Sequence, residues 1–291
     1  MSLPHTLLAI LIALIWGANF SVVRLGLQEF PPLLLAALRF MLAALPVLFL
    51  PRPQVSWRDL ALIGLLVFTG QFVFLFFGMH VGMPAGIASL VMQTQGPLTV
   101  LLAALVLHEQ PLLRQWIGLA LAGCGLLVIA VSTGGDLTLL GFVLTFCGAL
   151  SWACGNLVMK RVGAVSMLAV TAWASLVPPV PLFAAGLLVD GVDKTVSSIA
   201  GISWPGVFVL FYLTVPVTLF GYWIWGNLLR RYPAAVVTPF VLLAPCFGMV
   251  VASIAFHEFI SGARLAGVAL ILLGLAIAVL PLGRLLARRA P

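Results

Sequence analysis

Long apolar runs follow one another along this chain with only short breaks between them, and few folds tolerate that pattern. Crossing about 30 Å of hydrocarbon takes roughly 20 helical residues at about 1.5 Å each. Ten runs of that order lie at about 6–26, 33–50, 60–79, 84–107, 116–133, 138–158, 167–188, 206–227, 235–256 and 265–282. The breaks carry turn-forming clusters: "FPP" at 30–32, "PRP" at 51–53 and "STGGD" at 132–136. The longest polar connection runs from Asp190 to about Pro205, which leaves no room for a soluble catalytic domain. The pattern predicts an all-α polytopic membrane protein with ten transmembrane helices.

Composition excludes the main alternatives. Only 7% of the 291 residues are charged and mean hydropathy is +1.25, whereas a soluble domain carries about 25% charged residues to wet its surface. The net charge of +7 raises the question of nucleic acid, but such binders cluster Lys and Arg on one wetted face. Here the basic residues stand at the ends of apolar runs, never more than two together, so no nucleic-acid partner is expected. Cys124, Cys147, Cys154 and Cys246 lie inside apolar runs without metal-site or redox spacing and read as small hydrophobes. The first run has neither a basic leader nor a convincing cleavage site, so a retained helix is expected rather than a signal peptide.

Basic residues flanking the runs predict orientation. With the N-terminus inside, the inner side receives Arg52, Arg58, Arg114, Lys160, Arg161, Arg230, Arg231, Arg284, Arg288 and Arg289. The outer side receives only Arg24, Lys194 and Arg264, and Arg39 falls within a span. Both termini are expected in the cytoplasm.

The chain also repeats itself. "IWGANFSVVR" at 15–24 is echoed by "SWACGNLVMKR" at 151–161, with Asn19 matching Asn156 and Arg24 matching Arg161 at an offset of 137. "LHE" at 107–109 recurs as "FHE" at 256–258, and Gly118, Gly125 and Pro84-Ala85 match Gly267, Gly274 and Pro233-Ala234, all at an offset of 149. The longer stretch around 190–204 absorbs the difference. Two five-helix units follow, and because five is odd the second enters the membrane from the opposite side. Inverted repeats are the architecture with which secondary transporters present one site to two compartments in turn.

Polar side chains inside a span persist only where a partner or a wet cavity satisfies them. Trp16 and Asn19 share one helical face, as do Trp152 and Asn156. Each pair suits a cavity wall, and each Asn equally suits a bridge between helices. Gln93 and Gln95 lie two apart in "MQTQGP", so they cannot share a face. Pro97 and, one residue from its match, Pro245 predict kinks at equal depth in the two halves. Gln71, Tyr212 and Thr238 join the candidate set, whereas Tyr222 and Trp223 read equally as interfacial anchors. Arg39, six residues into its span, admits two readings: snorkelling to the headgroups, or a counter-charge for a substrate carboxylate.

No HExxH, GxSxG or Walker A motif occurs, so no enzyme activity is expected. Neither His108-Glu109 nor His257-Glu258 has a second histidine at zinc spacing, and no metal or cofactor is expected. Glu109 and Glu258 suit capping and topology as well as proton coupling. The fifth and tenth runs have almost no hydrogen-bonding side chains and read as scaffold.

Trp16-Gly17-Ala18-Asn19-Phe20, the run Pro84 through Pro97, and His108-Glu109 through Gly125, with its repeat His257-Glu258 through Gly274, resemble the EamA-type members of the drug/metabolite transporter superfamily. The resemblance spans 5–130 and 140–282 as two family domains. It implies ATP-independent export of small amino-acid metabolites, of the O-acetylserine and cysteine kind, across a bacterial inner membrane. Another small metabolite or drug, such as a different amino acid or an aromatic compound, with or without proton coupling, is the alternative. It also implies a central cavity built from helices one to four and six to nine. The expected partners are that solute and the lipid bilayer; monomer and homodimer stay open.

Overall fold

The computed structural model describes residues 1–83, 88, 91–133, 138–162, 165–256 and 262–279, and the regular elements among them are all helical. They are α1 (Leu3–Gly26), α2 (Pro32–Ala44), α3 (Trp57–Ile63), α4 (Gln71–His80), α5 (Gln95–Val106), α6 (Leu113–Thr133) and α7 (Leu139–Arg161). Then follow α8 (Met167–Ala174), α9 (Pro179–Asp190), α10 (Val192–Ala200), α11 (Trp204–Tyr212), α12 (Gly221–Arg231), α13 (Ala234–Val237), α14 (Ala244–Phe256) and α15 (Gly262–Val279). The sequence places Pro84-Ala85 and His257-Glu258 outside the described residues.

Several of these are parts of longer runs. Leu3–Val23, Trp57–Met79, Leu139–Arg161, Met167–Asp190 and Trp204–Arg231 are long and apolar enough to cross a bilayer. Pro32–Leu48, Gln95–Val106, Ala234–Gly248 and Leu265–Ala278 are apolar but shorter. The chain is thus an all-α polytopic membrane protein. The long connection after Asp190 is not loop throughout, because α10 forms within it.

Local chemistry sets where helices begin. The Ser56 hydroxyl accepts the Asp59 N–H at 3.0 Å and donates to its carboxylate at 2.7 Å, closing the first turn of α3. Thr138, Ser166 and Ser203 cap α7, α8 and α11 through the N–H groups of Gly141, Ala169 and Gly206. Each such cap is worth about 1 kcal/mol.

Two runs change helical pitch part-way. A π-helical stretch, Gly64–Gly70, joins α3 to α4, and another, Leu213–Phe220, joins α11 to α12. They begin 149 residues apart, at the repeat offset read from sequence. In each, a threonine five residues into the stretch donates its hydroxyl back to the first carbonyl: Thr69 to Gly64 at 3.0 Å and Thr218 to Leu213 at 2.7 Å. Further carbonyls in these stretches are met by donors from other helices. Ser151 of α7 donates to Leu66 at 2.8 Å, and the Trp16 indole of α1 donates to Val217 at 3.2 Å. The kinks expected near Pro97 and Pro245 have irregular helix just before each proline: a turn at Gln93-Thr94, and a 3-10 helix at Thr238–Leu243, after which Pro245 lies in the first turn of α14.

Contacts sort the helix ends into two groups. His5 of α1 meets Tyr232 after α12, Lys160 ending α7 meets Glu109 after α5, and Trp173 of α8 meets the carbonyl of Leu50. At the other group, Glu29 after α1 meets Ser203 before α11, and Thr138 before α7 meets Val81 after α4.

α6 and α15 pack with backbones in close approach. A Cβ on Gly118 would stand 2.5 Å from the Gly274 carbonyl, one on Gly274 would stand 2.5 Å from that of Gly118, and one on Gly125 would stand 2.6 Å from that of Gly267. As Gly118 and Gly125 match Gly267 and Gly274, the two contacts exchange under the repeat offset, and their order along the chain makes the helices antiparallel. Gly118→Val is therefore expected to overpack this seam at a cost of about 1–3 kcal/mol. Gly123→Val, where an added Cβ meets nothing within 4 Å, should leave stability unchanged. Thermal unfolding of both variants in detergent checks this, and equal losses would remove the seam from the account.

Candidate functional site

Aromatic rings from five helical runs meet in the interior. Trp16 of α1 lies 5.4 Å from Trp152 of α7, 5.4 Å from Tyr222 and 5.3 Å from Trp225, both of α12. Tyr222 continues the cluster to Phe68 at 4.9 Å, Phe68 to Phe40 of α2 at 5.0 Å, and Phe40 to Phe72 of α4 at 5.4 Å. Tilted and edge-on pairs of this kind contribute about 0.5–1.5 kcal/mol each beyond area burial. The contacts hold the inner faces of α1, α2, α4, α7 and α12 at fixed spacing.

Asn156 is a node within this region. Its amide donates to Gln95 Oε1 at 3.3 Å and to Thr99 Oγ1 at 3.1 Å, and its carbonyl accepts the Trp225 indole N–H at 3.1 Å. It is 1% exposed. One carboxamide thus ties α7 to both α5 and α12, and the bridging reading fits it. Its repeat match, Asn19, is half-buried with its side-chain oxygen unpartnered.

That oxygen has company. The side-chain oxygens of Gln71 and Gln93, the amide nitrogen of Gln95, the indole nitrogen of Trp152 and the hydroxyl of Thr238 are also buried without hydrogen-bond partners. Contacts link their positions. A Cβ on Gly148 of α7 would touch the Gln71 carbonyl at 3.1 Å and Met92 Sδ at 3.5 Å, and Trp152 lies one turn along the same face. Gly96, the residue after Gln95, sits against the Thr238 carbonyl, which packs the start of α5 on the 3-10 stretch Thr238–Leu243. An unpaired buried polar group costs about 1–3 kcal/mol, so several in one region call for a solute or water to satisfy them.

Arg39 does not snorkel. It is 2% exposed, and its Nε and Nη2 donate to Thr218 Oγ1 at 3.2 and 2.9 Å. Thr218 stands at the middle of the 28-residue run Trp204–Arg231, so the guanidinium is held well away from either membrane surface. Its carbon lies 4.6 Å from the Phe72 ring centre and 4.8 Å from that of Phe40. Among the described residues no carboxylate pairs with it.

Charges meet instead at one end of the bundle. Lys160 Nζ lies 2.9 Å from Glu109 Oε1 and also donates to the carbonyls of Leu229 and Tyr232, each at 2.8 Å. The other Glu109 oxygen accepts the Ala234 N–H at 3.0 Å. These bonds tie together the ends of α5, α7 and α12 and the start of α13. Beside them lies a cleft of about 470 Å³ whose lining includes Glu109, Arg114, Lys160, Arg231 and Tyr232.

The structure thus draws Trp16, Gln71, Gln95, Trp152, Asn156 and Thr238 into one linked region, with Asn19 on the adjoining α1 and Arg39 at the far end of the aromatic cluster. Tyr212 reaches the same stretch of α1: from a half-buried position its hydroxyl donates at 3.0 Å to the carbonyl of Ile15, the residue before Trp16. Tyr222, read as readily as an interfacial anchor, is 3% exposed at the centre of the cluster, whereas its neighbour Trp223 is 37% exposed. Thr99, Thr218 and Trp225 hold site residues in place and lie outside the candidate set, Thr218 being legible only as one polar residue of its span. Their burial depends on which face of an apolar helix looks inward; in the sequence, the i, i+4, i+7 spacing of Thr218, Tyr222 and Trp225 puts those three on one face.

Comparison with known proteins follows the same lines. The family model described as EamA-like transporter family matches residues 4–131 and 139–280. A protein named probable amino-acid metabolite efflux pump in Salmonella typhimurium is 41% identical over 286 residues, covering 96% of each chain. Its namesake in Escherichia coli is 40% identical over the same length, with the same coverage. The inner membrane transporter YedA of Escherichia coli, itself uncharacterized, is 27% identical over 242 residues, 80% of this chain and 76% of its own. A crystal structure 21% identical in sequence superposes with a TM-score of 0.77 over 99% of both chains, which bears on the fold alone.

The hydrogen-bond inventory separates two asparagines of one origin. Asn156→Ala strands the Trp225 N–H and the Gln95 oxygen at about 1–3 kcal/mol apiece and is expected to lower the unfolding temperature by several degrees. Asn19→Ala removes an oxygen that has no partner and should leave it within a degree or so, whereas Trp152→Phe gives up part of a buried ring contact and should lower it by less than Asn156→Ala does. Thermal scans of the three purified variants decide, with an equal drop in all of them counting against the assignment.

Proposed function

The chain belongs to the EamA-like transporter family, and from that premise we propose that it exports small amino-acid metabolites of the O-acetylserine and cysteine kind by alternating access. It is a transporter and not an enzyme. The observation that carries the reading is the group of buried, unpartnered polar atoms on Asn19, Gln71, Gln93, Gln95, Trp152 and Thr238, of which Trp152 is itself one of the clustered rings. In hydrocarbon such groups serve a solute path or cost stability. The two relatives named as amino-acid metabolite efflux pumps support the class of solute.

The membrane arrangement proposed is ten helices in two inverted five-helix repeats, 5–130 and 140–282, in a bacterial inner membrane with both termini cytoplasmic. Three observations support it: the exchange of Gly118–Gly274 with Gly125–Gly267, the π-helical stretches starting at Gly64 and Leu213, and the sorting of helix ends into two groups. With that orientation the Glu109–Lys160 cluster lies at the cytoplasmic end and closes it. The surrounding rings favour a second reading, an aromatic solute, and the same assay separates the two.

Purified protein in liposomes is expected to exchange labelled O-acetylserine or cysteine, measured with and without a pH gradient so that proton coupling registers as a difference in rate. Asn19→Ala and Trp152→Phe should cut that flux about tenfold while remaining folded, a change of about 1.4 kcal/mol. Exchange of an aromatic amino acid with neither of the two solutes moving would replace the cargo assigned here. Topology is tested separately in a background lacking the four native cysteines. Gln28→Cys after the first helix of one repeat and Arg161→Cys at the end of the matching helix of the other, both exposed positions, should react with an impermeant maleimide from opposite sides of the membrane. Labelling of both from one side would end the inverted arrangement.

A further inference from the structure

We infer that Arg39 is the carboxylate anchor of the transport site, held in place by the π-helical stretch Leu213–Phe220 through Thr218. The inference rests on the transporter reading above and specifies the charge that its solute carries.

A guanidinium taken out of water normally comes paired with a carboxylate, because the cost of desolvating a lone charge is several kcal/mol. The described acidic side chains lie elsewhere. Glu29 meets Ser203, Asp59 its own cap at Ser56, Glu109 meets Lys160, and Asp190 meets Lys194, while Asp193 is exposed on α10. What surrounds Arg39 is neutral: the Thr218 hydroxyl, the rings of Phe40 and Phe72, and the Thr214 hydroxyl on its backbone carbonyl at 3.4 Å. Ring faces and a hydroxyl stabilise a cation without neutralising it. The site therefore keeps a net positive charge for an anionic group to meet.

The positioning is also built in. Thr218 accepts two N–H groups from Arg39 and spends its own proton on the Leu213 carbonyl at 2.7 Å. Pro216, inside the same stretch, contributes no N–H to the helical ladder. The stretch thus fixes the acceptor geometry of one hydroxyl, and that hydroxyl fixes one edge of the guanidinium. The first half contains the matching device, Thr69 on Gly64, but no matching cation: the offsets from Arg39 lead to Leu176 and Leu188. One positive charge in a pseudo-symmetric pocket suits a solute with one carboxylate. Gln71, next in the chain to the Phe72 whose ring packs on the guanidinium, holds an unpartnered side-chain oxygen that suits the solute's ammonium group, which has three donors and no acceptor. The combination selects a zwitterionic α-amino acid.

The test compares cysteine with cysteamine, which lacks the carboxylate, and with 3-mercaptopropionate, which lacks the ammonium. Binding to the purified, intact protein is read by quenching of tryptophan fluorescence, independently of flux in liposomes. Wild type is expected to bind cysteine at least about tenfold more tightly than cysteamine. Arg39→Gln should abolish that preference and Arg39→Lys should keep part of it. Thr218→Val should weaken cysteine binding without changing cysteamine binding, and Thr218→Ser should restore it, a pattern that a purely structural role for Thr218 does not produce. Equal binding of cysteine and cysteamine by wild type, no binding of any carboxylate in the set, or an undiminished preference in a folded Arg39→Gln protein would each overturn the anchor. Carboxylate binding that depends on Arg39 without flux of either amino acid would leave the anchor standing and remove the export reading instead.

Discussion

A backbone carbonyl released inside hydrocarbon must find a donor, and the interior of this protein is organised around that requirement. Two helical runs loosen to π geometry and so expose carbonyls that the ordinary ladder would occupy. Each stretch answers part of the demand itself, with Thr69 and Thr218. The rest is met from across the bundle, by Ser151 for Leu66 and by Trp16 for Val217. The hydrogen bonds that repair the backbone are thus the bonds that attach α1 and α7 to their neighbours. Because Trp16 is also the hub of the aromatic cluster, repair of the backbone and construction of the site share one side chain.

The scaffold is nearly symmetric and its contents are not. Asn156 has three partners on two other helices, whereas Asn19 leaves its oxygen open. Trp16 gives its N–H to a carbonyl, whereas Trp152 holds its N–H in reserve. Arg39 has no counterpart at either repeat offset. In the arrangement proposed above, matched halves would let both ends of a transport path work by the same motion, and unequal side chains would suit a solute that has no symmetry of its own. The charged cluster at Glu109 and Lys160 belongs to the scaffold part of this division. It joins four helix ends with bonds that include backbone carbonyls and an N–H, so that end opens only if several bonds break together.

Much of this was legible in the residues. Run lengths and breaks located most of the described helical runs to within a few positions, since hydropathy is a property of each segment alone, but missed the helix Val192–Ala200. The π-helical stretches were not expected from sequence, although their starts at Gly64 and Leu213 differ by the same 149 as the glycines of α6 and α15. The choice of Asn, Gln and Trp inside apolar runs as candidates also needed no coordinates, because any such residue must be satisfied somewhere. Their partners could not be read. Asn19 and Asn156 look alike in the chain, and only the arrival of Gln95, Thr99 and Trp225 beside one of them separates a bridge from an open group.

What the sequence determined by itself was that this chain lives in a bilayer as helices, because hydropathy, breakers and repeats are local properties that no packing can alter. What only the tertiary structure decided was the fate of its polar atoms. Arg39 stood open between the headgroups and the interior until Thr218, 179 residues away in the chain, met it between two phenylalanine rings. Tyr222 became the centre of the site rather than an anchor at its rim for the same reason. The direction in which a side chain faces within an apolar bundle depends on what packs against it, and that information is held by the other helices.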